Sequence, residues 1–348
     1  MTTLLHPAPA PEAATRQRPV PVRLVWFVVA LVALALVAAA SVAFGVRAVT
    51  VQDIVTGVSG DTDGIAEAAV SKRVPRTVLA MVVGAALGLA GAVMQGVTRN
   101  PLADPGILGV TTGASLAVVT GITFFGLSSP STYIWVAILG AGVAATFVYF
   151  VGSLGRGGAT PLKLALAGAA TSAAFSSLIS AILLPRIDVM NQFRFWQIGG
   201  VGGADVTRII QVLPFLVVGA LMCFAAARGL NSLALGDDVA KGLGEKVGTT
   251  RLLAAAGAIL LCGAATAVAG PIGFVGLAVP HLCRLLIGID HRWLLPFSTV
   301  AGAVLLTAAD VVGRLVARPE ELDVGIVTAL VGAPVFIWIV RRQKLRSL

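Results

Sequence analysis

Ten apolar runs, most of them long enough to cross a lipid bilayer, dominate this chain of 348 residues. A transmembrane helix needs about 20 mostly apolar residues to span a hydrocarbon core of ~30 Å. The runs, bounded by charged residues or by glycine and proline, are 24–44, 74–97, 107–126, 132–152, 161–184, 207–227, 251–270, 274–288, 293–312 and 324–340. Charged residues make up only 12% of the chain, whereas soluble domains contain about 25%. The sequence therefore predicts an all-α integral membrane protein of about ten transmembrane helices.

The ends of the chain and one run depart from this pattern. Residues 1–23 are rich in proline, alanine and arginine, which is typical of a disordered segment. Run 24–44 is longer than the apolar core of a signal peptide, about 7–15 residues, so we expect a retained first helix. Run 274–288 is short and contains His281 and Arg284, so we expect it to span only partly or to lie buried. The expected organisation is a disordered segment, 1–23, a transmembrane domain, 24–340, and a basic tail, 341–348.

The basic residues indicate an orientation. With the N-terminus inside, most Lys and Arg fall in cytoplasmic segments and most acids fall outside. Cytoplasmic loops carry an excess of Lys and Arg, so both termini are expected in the cytoplasm. The net charge of +9 does not indicate nucleic-acid binding, because the charges lie mostly at the edges of apolar runs.

Small residues recur within the runs, for example in GAALGLAG at 84–91 and LAGAATSAAFSS at 166–177. Such residues let transmembrane helices approach closely, which predicts a tightly packed bundle. Cys223, Cys262 and Cys283 all lie in apolar runs, so we expect buried thiols rather than a disulfide framework.

Motifs for several kinds of chemistry are absent from the sequence. It contains neither HExxH nor GxxxxGK[ST], and its three histidines form no metal-binding pattern. Acids within the apolar runs are scarce, and Asp310 lies close to the end of a run. Proton-coupled carriers usually need intramembrane carboxylates or histidines. If the protein moves a solute uphill, we therefore expect a partner to supply the energy.

The turn between the second and third runs, MQGVTRNPLADPGILG at 94–109, is expected on the cytoplasmic side. Asn100 and Pro101 favour an abrupt chain reversal. Asp104 can cap the next helix, with Pro105 at its first position. Gln95 lies one turn before the end of the preceding helix, either as a buried amide with polar partners or facing a pathway.

The largest cytoplasmic loop, 228–250, has an apolar pattern. Leu235, Val239, Leu243 and Val247 are spaced by four, which places them on one face of a short helix. Gly236 precedes two acids that favour a helix start, and Gly242 and Gly244 loosen its end. Two interpretations are open, an ordinary amphipathic surface loop and a docking element for a soluble subunit.

Several strings in the sequence resemble the FecCD-type permeases. The loop LNSLALGDDVAKGLG resembles the coupling loop of this family, and the turn MQGVTRNPLADPGILGVTTGAS resembles the same family. Further matching strings are RVPR at 73–76, RFWQIGG at 194–200, GPIGFVGLAVPHLCRLLIGIDHRWLLP at 270–296, the pair Asp310 and Arg314, and GIVTALVGAPVFIW at 325–338. Many members have proline where this chain has Asp323, which leaves the geometry of that outer loop open.

The resemblance implies a permease of the type II ABC importer architecture, acting as a dimer with two ATPase subunits. Such permeases are the membrane subunits of ATP-driven importers of iron-siderophore complexes, haem and cobalamin. ATP and Mg²⁺ would be bound by the ATPase, so this chain is expected to bind no cofactor and to be no enzyme. The implied coupling-loop residues are Leu233, Leu235, Gly236, Asp237, Asp238, Val239, Leu243 and Gly244.

The resemblance also places the fifth span along the translocation pathway and a substrate-binding protein on the outer face. The pathway candidates are Gln95, Ser172, Ser176 and Ser180. The three serines are spaced by four, so they share one face of a helix, but such hydroxyls also bond their own backbone or a neighbouring helix. The outer-face candidates are Arg186, Arg194, Trp196, Glu320 and Glu321. For the arginines and Trp196, anchoring at the membrane interface is the alternative.

We therefore expect an importer permease in the bacterial cytoplasmic membrane, most similar to permeases for ferric catecholates such as enterobactin. Its expected partners are ATPase subunits, a second permease subunit, a siderophore-binding protein and the lipid bilayer. A cobalamin or haem importer of the same architecture is the first alternative. A secondary carrier or a membrane scaffold without an ATPase is the second.

Overall fold

The computed structural model describes residues 18–60, 63–154 and 160–346. Within these ranges the chain forms fourteen α-helices and a 3-10 helix, Pro105–Leu108, which lies between α3 and α4. The helices are α1 Val20–Ala43, α2 Val51–Val58, α3 Ile65–Thr98, α4 Val110–Phe125, α5 Pro130–Ser153, α6 Pro161–Leu183, α7 Ile187–Gln197, α8 Val206–Ala225, α9 Ala227–Ala234, α10 Asp237–Gly242, α11 Val247–Ala269, α12 Val275–Ile287, α13 His291–Val316 and α14 Val324–Arg346.

Each of the ten predicted spans corresponds to a helix. Seven helices, α1, α3, α5, α6, α8, α11 and α13, are long and apolar enough to cross a membrane, and three shorter apolar helices lie in α4, α12 and α14. The predicted all-α, multi-pass membrane fold is therefore confirmed. The short eighth run forms α12, whose 13 residues extend about 20 Å, less than the ~30 Å of a hydrocarbon core.

Two predicted boundaries are wrong. The first helix begins at Val20, so the end of the segment 1–23 is helical, while residues 1–17 lie outside the described part of the chain. Helix α3 begins at Ile65, well before the apolar run at 74–97, and continues through Pro75. Hydropathy does not detect its first turns because they carry the charged residues Glu67, Lys72 and Arg73, of which Arg73 is hydrogen-bonded to backbone carbonyls at and just beyond the end of α1. The basic tail is helical up to Arg346, and residues 347–348 are outside the described part.

Helix α3 forms the centre of the bundle and packs against α11, α12 and α13. In its most apolar stretch 78% of the residues are buried, followed by 61% in α11. Three glycines permit this contact. A Cβ atom added at Gly84 would lie 2.3 Å from the carbonyl oxygen of Gly302, and one added at Gly88 would lie 2.3 Å from that of Ser298. A Cβ atom added at Gly91 would lie 1.9 Å from the carbonyl oxygen of Gly276. The tight packing expected from small residues is present here, since no larger side chain fits between these backbones.

The cysteines and the peripheral helices complete the arrangement. Cys223, Cys262 and Cys283 are free and buried, as the sequence predicts. By contrast, only 6% of the apolar stretch of α1 and 17% of that of α6 are buried. Their exposed apolar surfaces are suited to contact with lipid or with another subunit.

A buried charge network joins α1, α3 and α13 at one end of the bundle. Asp310 on α13 is fully buried and accepts hydrogen bonds from Arg76, with Nη2 at 2.8 Å and Nε at 3.0 Å. Arg314 Nη2 lies 2.9 Å from the other oxygen of Asp310, and its Nη1 donates to the Ser41 carbonyl at the end of α1. Arg73 likewise donates to the carbonyls of Val42 and Ala43 in the last turn of α1 and of Arg47 just beyond it, at 2.7–3.1 Å. Arg73 and Arg76 on α3 and Asp310 and Arg314 on α13 thus all have polar partners within the fold.

Candidate coupling surface and translocation path

The loop predicted to contain one short helix contains two, α9 and α10. Helix α9 ends at Ala234, Gly236 adopts φ +106° and ψ 154°, and α10 begins at Asp237. That backbone conformation is essentially restricted to glycine, so the chain turns there. The prediction of one helical face from Leu235 to Val247 is wrong, because Gly244, with φ +84°, separates α10 from α11 and Val247 is buried in α11.

An exposed apolar patch lies on α10 and the turns that flank it. Leu235, Val239 and Leu243 are 61%, 51% and 65% exposed, and we call these three residues the α10 patch. Leu233 is fully buried and anchors α9 in the bundle. A cluster of large apolar side chains in a polar loop is typical of a protein contact site.

The two acids at the start of α10 face different environments. Asp237 pairs with Arg251 at 2.9 Å and with Arg99, which directly follows α3. The Asp238 side chain is fully exposed, and its contact with Lys241 is 3.8 Å within α10. Asp238 is therefore available to a partner beside the α10 patch, whereas Asp237 is bound to the bundle.

Helix α9 has its own polar attachment. Asn231 Nδ2 donates to Asp290 at 2.7 Å, and Asn231 Oδ1 accepts the backbone N–H of His291 at 2.9 Å. Arg23 Nη1 near the start of α1 lies 3.3 Å from Asp290. Burial raises the pKa of Asp290, but the hydrogen bonds from Asn231 and the Arg292 N–H, with nearby Arg23, outweigh it, so this pKa lies below its usual value. The α10 end of the bundle thus holds α9 through an ionised carboxylate at neutral pH.

The turn at 99–104 lies next to this loop. Asn100 Oδ1 accepts the N–H of Leu102 at 2.9 Å, and Pro101 follows within the reversal. Asp104 caps the 3-10 helix by accepting the N–H of Gly106 at 2.7 Å, with Pro105 as its first residue. The capping predicted from the sequence is present, although the capped element is a 3-10 helix that precedes α4.

The candidate pathway residues lie in two different environments. Gln95 is buried and donates to the carbonyls of Gly276 and Leu277 at 3.3 and 3.2 Å, while its oxygen accepts from Arg284. Gln95 therefore joins α3 to α12 instead of facing an open surface. Arg284, on the short run expected to lie buried, is engaged in the same interface.

The serines of α6 lie on a largely open helix face. Ser176 and Ser180 are exposed, and Ser172 is half-buried. Ser180 Oγ donates to the Ser176 carbonyl at 3.0 Å, and the Thr112 hydroxyl donates to Ser172 at 3.2 Å. Backbone and neighbour bonding thus occur together with an exposed polar stripe.

The outer-face candidates lie at the end of the bundle opposite α10. Arg186 donates to the Thr123 carbonyl at 3.1 Å and lies over the Phe124 ring, 5.6 Å from its centre. Trp196 packs against Phe193 with ring centres 5.7 Å apart. Arg194 is exposed, and among the described residues its side chain has neither a hydrogen bond nor a ring contact of the kind that holds Arg186.

The acidic residues of this face also differ in their exposure and contacts. Glu320 is exposed, whereas Glu321 pairs with Arg76 at 2.6 Å and so belongs partly to the Asp310 network. Asp323, where the family pattern has proline, directly precedes α14, and its carbonyl accepts the N–H of Ile326 at 3.0 Å. Burial raises the pKa of the Asp323 carboxyl, and the neighbouring acids Glu321 and Asp310 add to this.

Comparisons with known proteins agree with this architecture. Residues 30–342 match the FecCD transport family. The chain is 47% identical to the ferric enterobactin transport system permease protein FepD of Escherichia coli, over 78% of this chain and 81% of that protein. It is 45% identical to the iron(3+)-hydroxamate import system permease protein FhuB of Bacillus subtilis, over 78% and 71%.

A solved structure of a metal-chelate type ABC transporter in an inward-facing conformation is also similar. It superposes with a TM-score of 0.79 at 29% identity and covers 92% of this chain and 99% of that one. The family match spans nearly all of the bundle, including the α10 patch and the turn at 99–104. The chain therefore belongs to the FecCD transport family.

Proposed function

We propose that this chain is the membrane-spanning permease subunit of an ATP-driven importer that carries ferric-siderophore complexes across the bacterial cytoplasmic membrane. The observation that carries this proposal is the α10 patch, an apolar surface outside the membrane spans of a FecCD-family chain. The relatives named for ferric enterobactin and for iron-hydroxamates support the substrate class. Hydrolysis of ATP belongs to a separate subunit, which also binds ATP and Mg²⁺.

The partners can be assigned to surfaces. An ATPase subunit binds the α10 patch with Asp238 at its edge, which makes this end cytoplasmic and places both termini in the cytoplasm. A second permease subunit, a copy or a related chain, packs against the exposed side of α6. A siderophore-binding protein contacts the opposite end near Arg194 and Glu320, which are exposed and of opposite charge.

The path for the solute runs along α6. Ser176 and Ser180 place hydroxyl groups on an exposed face of α6 that is made largely of small residues. Such a surface offers hydrogen bonds without a strong charge, so a bulky metal chelate can pass without being held. This arrangement suits a carrier that is driven by a partner rather than by a proton relay.

We expect Leu235→Asp to abolish binding of the ATPase and uptake while the permease still folds. Leu235 is 61% exposed, so a carboxylate there remains in water in the free chain but is buried without a partner in the complex. Central interface residues cost at least about 2 kcal/mol when lost, so binding should weaken more than about tenfold. The measurement is the amount of ATPase that co-purifies with the membrane-inserted permease.

Val51→Asp is the matched control, because Val51 is 79% exposed in α2, at the opposite end of the bundle. It should retain the ATPase. If the Leu235→Asp protein also retains the ATPase and full uptake, the α10 patch is not the docking surface. A secondary carrier or scaffold would behave in this way.

Uptake in iron-starved cells with and without this chain identifies the cargo. Radiolabelled iron is supplied as a ferric catecholate, ferric hydroxamate or haem, with labelled cobalamin in parallel. We expect loss of one ferric-siderophore signal alone. Loss of haem or cobalamin uptake instead would keep the architecture and overturn the substrate class.

A further inference from the structure

We infer that Asp237 is a positioning residue that connects the docking helix α10 mechanically to α3 and α11. This inference rests on the proposed function, because it assigns the step between ATPase docking and movement of the bundle. The sequence pattern groups Asp237 with Asp238 as an acidic start of the docking helix. The structure separates the two acids.

The contacts of Asp237 all lead into the bundle. Its Oδ1 atom accepts a hydrogen bond from Arg251 Nη2 at 2.9 Å and one from Arg99 Nη2. Arg251 lies in the first turns of α11, and Arg99 is the residue at which α3 ends. A single carboxylate oxygen therefore holds the ends of two membrane helices to α10, an arrangement that we call the Asp237 clamp.

The backbone on both sides of the clamp is specialised. Arg99 adopts a left-handed conformation, with φ 51° and ψ 31°, which a non-glycine residue rarely does. Gly236, immediately before Asp237, has φ +106°, and a Cβ atom at Gly236 would lie 4.0 Å from Arg99 Nη1. The guanidinium of Arg99 thus lies against the turn that starts α10. Unusual backbone conformations persist where surrounding contacts determine them, often at switch regions.

The two helices held by the clamp are the most buried among those that qualify as spans. The buried share is 78% for α3 and 61% for α11. Arg99 also opens the turn that continues to Asp104 and α4. A displacement of α10 is therefore transmitted to the centre of the bundle rather than to a peripheral helix.

Space for such a displacement exists behind the clamp. A cavity of about 560 Å³ lies between the turn at 99–104 and helices α5, α6 and α11. Its lining includes Asn100, Asp104, Arg251, Tyr149 and Leu162. Packed interiors resist motion, so this cavity is where α11 and the turn can shift.

Loss of the clamp should uncouple transport without removing the ATPase. Helix α9 keeps its separate attachment through Asn231 and Asp290, at 2.7 Å, and the α10 patch keeps its apolar side chains. Docking is therefore retained in Asp237→Asn, whereas the pull on α3 and α11 is weakened. We expect iron uptake per ATP hydrolysed to fall about threefold or more, and Asp237→Glu to recover most of it.

The test uses the permease reconstituted in proteoliposomes with its ATPase and binding protein. The probe is ferric enterobactin, a ferric hydroxamate or ferric citrate, whichever the wild-type complex takes up. Bound ATPase, ATP hydrolysis and iron uptake are measured for wild type, Asp237→Asn, Asp237→Glu and Arg99→Gln. Arg99→Gln breaks the same clamp from its other side and should lower the ratio of uptake to hydrolysis as Asp237→Asn does.

Asp238→Asn is the matched control, since it removes the neighbouring carboxylate, which has no bond to the described part of the bundle. Any loss of docking in Asp238→Asn should lower hydrolysis and uptake together, so their ratio stays at the wild-type value. A wild-type ratio in Asp237→Asn and Arg99→Gln, with uptake by wild type intact, overturns the clamp alone. A wild-type complex that takes up none of the three probes overturns the proposed function and the clamp with it.

Discussion

Asp310→Ala is expected to prevent this chain from accumulating as a folded membrane protein. Asp310 is fully buried and is the shared partner of Arg76 and Arg314, of which Arg314 is only 1% exposed. Its removal leaves arginine charge inside the fold without that carboxylate. Breaking a buried ion pair in this way costs about 3–5 kcal/mol, which is a large share of the ~5–15 kcal/mol that stabilises a typical protein. The measurements are the yield of membrane-inserted protein and its thermal unfolding midpoint in detergent.

Glu321→Ala is the control for this prediction, because Glu321 pairs with the same Arg76 at 2.6 Å but its side chain is 41% exposed. An exposed pair contributes about 0–1 kcal/mol, so the unfolding midpoint should change little. Equal losses in the two variants would mean that the pairing of Arg76, rather than the burial of Asp310, sets the effect. An unchanged midpoint in Asp310→Ala would show that the network does not hold α3 to α13.

Gly91→Ala is expected to disrupt the centre of the bundle despite adding a single methyl group. The new Cβ atom would lie 1.9 Å from the carbonyl oxygen of Gly276, which belongs to the backbone and cannot rotate away. Helices α3 and α12 would have to separate, which also strains the bonds from Gln95 to α12. Overpacking of a core typically costs about 1–3 kcal/mol, and occasionally more. We expect the upper part of that range, measured as a lower unfolding midpoint and a broadened elution profile.

Gly142→Ala separates this steric effect from the general effect of replacing glycine in a helix. Gly142 lies in α5, and a Cβ atom there meets nothing within 4 Å. Alanine is favoured over glycine in a helix by about 1 kcal/mol, so this variant should be as stable as wild type or more so. A Gly91→Ala protein with the same midpoint as Gly142→Ala would contradict the close approach of α3 and α12.

The features predicted well from the sequence are those that depend only on residues close together in the chain. Apolar run length located all ten helices of the predicted spans, and the cap at Asp104 follows from the order of the residues around it. The extent of α3 was not predictable in this way. Its first turns carry Glu67, Lys72 and Arg73, and Arg73 is bonded to the backbone carbonyls of Val42, Ala43 and Arg47, which lie 26 to 31 residues earlier in the chain.

In the candidate site, too, local features were predictable, and features that depend on distant residues were not. The apolar spacing of loop 228–250 predicted a short helix there, but the break between α9 and α10 at Gly236 depends on a backbone angle, φ +106°. No sequence signal distinguishes Asp237 from Asp238, because the distinction comes from Arg99, just after α3, and Arg251, on α11. Gln95 was open to two interpretations until its partners on α12 were known.

The length of α3 has a mechanical consequence. Its 34 residues form a rod of about 50 Å, fixed about a third of the way along by Arg76 and at its C-terminal end by Arg99. The Asp310 anchor is buried, whereas Arg99 and Asp237 are each about a third exposed, so the rod has its fulcrum near Arg76. The Arg99 end lies about 35 Å from Arg76, so a tilt of about 5° moves it by about 3 Å. In such a tilt α3 would act as a lever. The contacts that slide past its neighbours would be those at Gly84, Gly88 and Gly91, where the helix backbones are closest.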